Sequence, residues 1–334
     1  MPDIDRITAG RRHRRLRRHD WTRRMVRESA LVPNDLIAPL FVVEGNDCEE
    51  SVASMPRVVR RSVDRTVHAA TRLAALGVPC VALFPYIAQD RRDERGSVIL
   101  DPDNLVCRAC RAIKDAVPQI GVITDTALDP FTSHGHDGIW DHEARWVMND
   151  ASVEIAAQAA VLQAEAGADV IGPSDMMDGR VGAIREALDD AGHRYVSILS
   201  YTAKYASAFY GPYREAIGTQ ENLIGDKRGY FMDPANASEA MREAEADIAE
   251  GADMLMVKPG MPYLDIIARM KERFDMPVFA YQVSGEYAMI EAAAANGWID
   301  GERARMEALL AFKRAGADGI LTYYAQEIAE RLNG

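Results

Sequence analysis

Lysine is scarce in this chain, and its placement gives the first clue to chemistry. Of 39 lysine and arginine residues, the lysines are only Lys114, Lys204, Lys227, Lys258, Lys271 and Lys313. Where a positive charge suffices, this sequence uses arginine; lysine offers an amine that can lose its proton, which a guanidinium cannot. Lys114, Lys271 and Lys313 fall late in helical segments, where a cation facing the helix C-terminus is explanation enough. Lys258 differs, because it closes the apolar run Met254-Leu255-Met256-Val257 and precedes Pro259, which predicts a buried stem. A free lysine is only about 0.04% neutral at pH 7. Burial and a second cation both disfavour the ammonium, so two lysines meeting in one pocket suit attack on a ketone. The spacing leaves a second reading open, a single lysine paired with a barrel carboxylate. Cys107-x-x-Cys110 has no second pair to complete a metal set, and with Cys48 and Cys80 the cysteines are too few for a disulfide framework. Cys107 and Cys110 read as two ordinary helix cysteines.

The elements that must position these lysines announce themselves by repetition. Ala166-Gly167-Ala168-Asp169, Gly251-Ala252-Asp253 and Ala315-Gly316-Ala317-Asp318 each link an Ala- and Glu-rich helix to a short apolar strand. Leu76-Gly77-Val78 repeats the idea. Strands are expected near 36–43, 78–84, 120–124, 169–172, 196–200, 254–258, 277–281 and 318–322. Helices are expected at 64–76, 151–166, 238–250, 262–274 and 302–315, with 285–296 as one more than the scheme requires. Strands apolar on both faces and alternating with helices predict a parallel sheet under helices. Eight units predict a (β/α)8 TIM barrel of α/β class over 34–334, with an open doubly wound sheet as its rival. No G-x-G-x-x-G or Walker A motif supports a nucleotide site. In such a barrel the chemistry lies at the C-terminal strand ends. There the sequence places Asp125, Ser174 and Asp175, then Lys204 shortly after strand five, Lys258, Ser284, Tyr323 and Tyr324.

Residues 1–33 lie outside the repeat and form an extended N-terminal arm. Its first 27 residues hold ten arginines against three aspartates, while the whole chain carries −12. A basic arm permits nucleic-acid binding, but no recognition motif accompanies it, so an arm laid along an acidic neighbouring subunit is the preferred reading. No secretory segment and no apolar run of membrane-spanning length is present, so a soluble, cytoplasmic protein is expected.

Four long strings resemble the porphobilinogen synthase family. They are Ser200-Tyr201-Thr202-Ala203-Lys204-Tyr205-Ala206-Ser207 with Phe209-Tyr210-Gly211-Pro212-Tyr213-Arg214; Met256-Val257-Lys258-Pro259-Gly260-Met261-Pro262-Tyr263-Leu264-Asp265; Tyr281-Gln282-Val283-Ser284-Gly285-Glu286-Tyr287; and Gly172-Pro173-Ser174-Asp175-Met176-Met177-Asp178-Gly179-Arg180. The resemblance implies that two 5-aminolevulinate molecules condense to a pyrrole with loss of two waters. Lys258 would form the Schiff base on the propionate side and Lys204 the one on the acetate side. Ser284 and Tyr323 would hold the first carboxylate, and Arg214 and Lys227 the second, within a lid over 205–232. Ser174 is assigned to substrate binding. A homo-oligomer assembled through the arm is implied, octamer or hexamer. No organic cofactor is expected.

Zinc enzymes of the family carry three cysteines where this chain has Ala127, Asp129 and Asp137. Alanine ligates nothing and carboxylates suit hard ions, so no catalytic zinc is expected. Asp129 and Asp137 would hold the second substrate's amino group, or a hard monovalent or divalent ion; His134 and His136 would pack. Glu243 matches the family's allosteric magnesium ligand, with a solvated helix glutamate as the alternative; Asn236 and Glu239 suggest a capping box at that helix's start. At Phe231 the family often has a glutamine that helps the second carboxylate. A class I aldolase is the enzymatic rival, but it needs one imine lysine and leaves Lys204 unexplained.

Overall fold

The computed structural model describes residues 12–220 and 222–334, so residues 1–11 of the expected arm lie outside the described residues. Eight strands alternate with helices: β1 (Leu36–Val42), β2 (Cys80–Pro85), β3 (Gly121–Thr124), β4 (Val170–Ile171), β5 (Ser197–Lys204), β6 (Met254–Lys258), β7 (Val278–Gln282) and β8 (Gly319–Thr322). Each pairs in parallel with the next, and β8 returns to β1 through Ile320↔Leu36 and Leu321↔Ile37. The sheet therefore closes as a barrel, and the open-sheet rival is excluded. Around it run α1 (Val63–Ala75), α2 (Leu105–Ala116), α3 (Asn149–Glu165), α4 (Arg180–Asp190), α5 (Ser238–Glu250), α6 (Leu264–Arg273), α7 (Gly301–Ala315) and α8 (Ala325–Asn333). The extra helix Ser284–Ala295 precedes α7, as the sequence indicated. Two short hairpins, Glu49–Ser51 with Val59–Arg61 and Ile139–Asp141 with Trp146–Met148, decorate the loops.

The repeated junction has a shared physical purpose. Gly77, Gly167, Gly251 and Gly316 all take positive φ (79°, 99°, 106° and 102°), which a side chain would strain, and so they end α1, α3, α5 and α7. The aspartate that follows then pins the neighbouring strand. Asp169, Asp253 and Asp318 accept the backbone N–H of Val122, Ile198 and Val278 at 2.9, 2.7 and 2.8 Å. Lys114 and Lys271 pair with Asp169 and Asp318, and Lys313 with Asp35. These three lysines work at the barrel's base, away from the C-terminal mouth. Cys107 and Cys110 are buried free thiols on α2.

Residues 12–33 of the arm hold a short 3-10 helix (His13–Arg17) and a six-residue helix (Asp20–Met25), with Trp21 and Met25 exposed. Among the described residues no helix is long and apolar enough to cross a membrane.

Candidate active site

Lys258 is the last residue of β6 and is 4% exposed. Four tyrosine rings surround its Nζ, with centroids at 4.5 Å (Tyr281), 5.0 Å (Tyr213), 5.2 Å (Tyr201) and 5.5 Å (Tyr210). Burial pushes its pKa down to about 7, and Lys204 acts in the same direction against Asp125, Asp129 and Asp137. Electron-rich rings favour an ammonium, but removal from water wins. Lys258 therefore offers far more neutral amine at neutral pH than a free lysine does.

Lys204 is brought beside it by a local irregularity. Expected just beyond strand five, it is instead the strand's last residue, in register with Lys258. Ser200 Oγ and Thr202 Oγ1 both donate outward to Asp247 Oδ2 on α5, at 2.7 and 2.8 Å, while the Tyr201 ring faces Lys258. Plain alternation would send Lys204 outward with Ser200 and Thr202. The pairing slips between Leu255↔Ser200 and Val257↔Ala203, and this bulge turns Lys204 back inside. Its Nζ donates to the Ser174 carbonyl, lies 3.3 Å from Ser174 Oγ and 3.8 Å from Asp137 Oδ2, and sits 4.2 Å from the Phe231 centroid. Ser174 is fixed in turn by Asp125, which accepts its hydroxyl at 2.6 Å and its N–H at 3.2 Å.

The segment 205–232 covers this pair. Lys227 donates to Asp129 Oδ2 at 3.0 Å and to Asp137 Oδ1 at 2.9 Å. Burial opposes its charge, but the two carboxylates outweigh it and hold its pKa above the usual lysine value. Asp129 is pushed up by burial and by Asp137. Asp137 thus lies between two lysines, one oxygen toward each. Arg214, on the lid helix Gly211–Ile217, lines a cavity of about 450 Å³ with Lys227 and Phe231. Ser284 Oγ accepts the Tyr213 N–H at 2.9 Å and donates to the Phe209 carbonyl at 3.4 Å, so its hydroxyl is engaged by the lid. Tyr323 meets Tyr281, hydroxyl to hydroxyl, at 3.1 Å. His134 and His136 pack as expected: His136 stacks on Trp140 at 4.3 Å and bridges Tyr230 and the Ile224 carbonyl, and burial lowers both imidazoles, His134 to about 4.

Several positioning groups escaped the sequence reading. Buried Arg92 donates to the Ile217 and Gly218 carbonyls at 2.8 and 2.9 Å, and Arg60 to those of Glu215 and Ala216, together gripping the lid helix at its C-terminal end. Glu286 accepts the N–H groups of Gly260, Met261 and Val283, tying the turn after Lys258 to the one before Ser284; burial raises it to about 7. No local signal marked the arginines, whereas Glu286 stood in a quoted motif.

The place of the zinc cysteines does not fit zinc. Ala127 offers no ligand, no thiolate is present, and the Lys227 ammonium already joins the two carboxylates. Glu243 borders a cavity of about 360 Å³ with Asp178, Asp233, Asn236 and Glu239. Burial raises its pKa, as do Asp247, Asp178 and Glu239, against Arg180. Among the described residues no three His, Cys, Asp or Glu side chains converge closely enough to hold a metal. The capping box was wrong: Ala237 precedes α5 without a side-chain cap, and the Asn236 amide instead donates to Glu239 at 2.7 Å.

A closed parallel barrel, with two buried lysines at adjacent strand ends beneath a docked lid, defines an α/β-barrel enzyme that works at its C-terminal mouth. The family model for delta-aminolevulinic acid dehydratase matches residues 10–331, and the chain belongs to that family. It is similar to the delta-aminolevulinic acid dehydratase of Bradyrhizobium diazoefficiens, 61% identical over 96% of this chain and 90% of that one. The Synechocystis dehydratase is 52% identical over 96% and 98%. The crystal structure of the Toxoplasma gondii enzyme (porphobilinogen synthase) in complex with its reaction product porphobilinogen superposes with a TM-score of 0.93, at 44% identity over 96% of this chain and 91% of that one.

Proposed function

We propose that this chain condenses two 5-aminolevulinate molecules into porphobilinogen through imines on Lys258 and Lys204. One C–C and one C–N bond form and two waters leave. The observation that carries the reading is the register pairing of two buried lysines at one barrel mouth, one of them with its pKa near 7. Lys258, with neutral amine at hand, attacks the first ketone, and Ser284 and Tyr323 offer hydroxyls to that substrate's carboxylate. For Ser284 this requires an exchange, because its hydroxyl is engaged with the Tyr213 N–H and the Phe209 carbonyl. Lys204 takes the second ketone, oriented by Ser174. Arg214 and Lys227 receive the second carboxylate, and Asp129 and Asp137 its amino group, which requires Lys227 to exchange its bonds to the two aspartates for those to the substrate. A lid over the pair keeps bulk water from the imines.

The same reading makes this a member of the type without catalytic-zinc cysteines, with Lys227 supplying the positive charge between Asp129 and Asp137. Magnesium is assigned to Glu243 as an allosteric ion that keeps most of its waters, which suits a half-buried carboxylate among other acids. A homo-oligomer, octamer or hexamer, forms through the basic arm, and the enzyme acts in the cytoplasm.

Borohydride reduction in the presence of 5-aminolevulinate, followed by peptide mapping, tests the proposal. Adducts are expected on the peptides holding Lys258 and Lys204, with pyrrole formed from 5-aminolevulinate alone. A single adduct and no pyrrole would return the chain to the aldolase reading.

A further inference from the structure

We infer that Phe231 is the electrostatic floor of the second imine: its ring receives the cationic nitrogen formed on Lys204 and holds that imine in its protonated, reactive form. This rests on the reaction proposed above. The buried ring has its centroid 4.2 Å from Lys204 Nζ and 5.7 Å from Lys227 Nζ. Backbone pairing fixes it there. The Met232 N–H donates to the carbonyl of Lys204 itself at 3.0 Å, the Ala206 N–H to the Met232 carbonyl at 2.8 Å, and the Phe231 N–H to the Lys227 carbonyl at 2.9 Å. Tyr210 and Tyr230 make T-shaped contacts with the ring, at 6.2 and 4.9 Å between centroids. The ring is therefore locked to the strand end that carries the lysine.

The chemistry of the nitrogen gives this contact its role. An ammonium has three N–H donors, while a protonated imine has one. When Lys204 becomes an iminium, the donors now aimed at the Ser174 carbonyl, the Ser174 hydroxyl and Asp137 can no longer all be served. The attraction of a cation to an aromatic face needs no hydrogen and persists through the conversion, strongest where water is excluded. A neutral imine gains no such attraction, so a ring at this position favours the protonated imine, the form borohydride reduces, over the neutral one. Lys258, in its own cage of tyrosines, makes no such use of Phe231 and serves as an internal reference.

The test uses the full chain with Phe231 replaced by mono-, di- and trifluorinated phenylalanine, which withdraws charge from the ring face at nearly constant shape. Each protein is reduced with borohydride in 5-aminolevulinate, and adducts on the Lys204 and Lys258 peptides are quantified. The Lys204-to-Lys258 ratio is expected to fall stepwise, by about tenfold at the trifluorinated ring. Phe231→Leu should fall at least as far while keeping the Lys258 adduct. A flat ratio across the series, with pyrrole still formed, overturns the inference. Absence of adducts from both lysines in the unsubstituted chain would remove the reaction as well.

Discussion

Lys258 and Lys204 are register partners on adjacent strands, yet their surroundings differ in kind. Lys258 ends a regular strand inside a cage of four tyrosine rings. Lys204 ends a bulged strand and faces a carbonyl, a hydroxyl, a carboxylate and one phenyl ring. In the proposed reaction the contrast divides the labour. Apolar burial makes a nucleophile by removing the proton; a polar shell positions a nitrogen and keeps partners ready for the charge that develops on it.

The largest expected effect comes from denying Lys258 its neutral form. Lys258→Arg keeps a cation of similar reach that cannot deprotonate, and pyrrole formation should fall by at least about 10⁴-fold. Substantial turnover in this variant would break the comparison at its root.

The two sides also predict stability changes of opposite sign. In the unfolded chain Lys258 is protonated below its ordinary pKa of 10.5, while in the fold its pKa is about 7. The penalty is therefore full below pH 7, shrinks as pH rises toward 10.5 and vanishes above. Lys258→Met should stabilise the protein by up to about 5 kcal/mol at pH 7, and the gain should fade in urea melts run near pH 10. On the polar side, Lys227→Met strands Asp129 and Asp137 in the interior. A loss of about 3 kcal/mol is expected at neutral pH, recovered in part when Asp129→Asn and Asp137→Asn remove the stranded charge. Equal signs for Lys258→Met and Lys227→Met would dissolve the distinction.

How far these features could be read in advance follows the range of the forces that set them. Eight apolar runs punctuated by glycine are local signals, and each predicted strand was found within two residues, except at the end of β5. Lys258 was legible because a straight strand obeys alternation. Lys204 was recognised by its motif, but its place in the strand was not, because a bulge depends on what the neighbouring strand demands. Asn236 failed as a cap for a similar reason: its amide found Glu239 instead of a helix N–H. Lys227, Arg92 and the tyrosine cage depend on contacts between distant segments, and no periodicity encodes those.

The smallest effect is expected from Ser174→Ala, and it probes whether the two lysines are separable. Lys204 would keep the Ser174 carbonyl, which is backbone, and lose only the hydroxyl at 3.3 Å. Asp125 would lose a 2.6 Å donor but keep the N–H groups of residue 174 and Ala127. One such hydrogen bond contributes about 1 kcal/mol net, so the Lys204 adduct should drop by roughly threefold to tenfold. The acid limb of the pH–rate profile should nonetheless keep its midpoint near 7, since burial leads the causes that set Lys258 and Asp125 only opposes it. A midpoint displaced by a full pH unit would mean that the Ser174–Asp125 pair governs Lys258 as well, and that the aromatic cage does not insulate one lysine from the other.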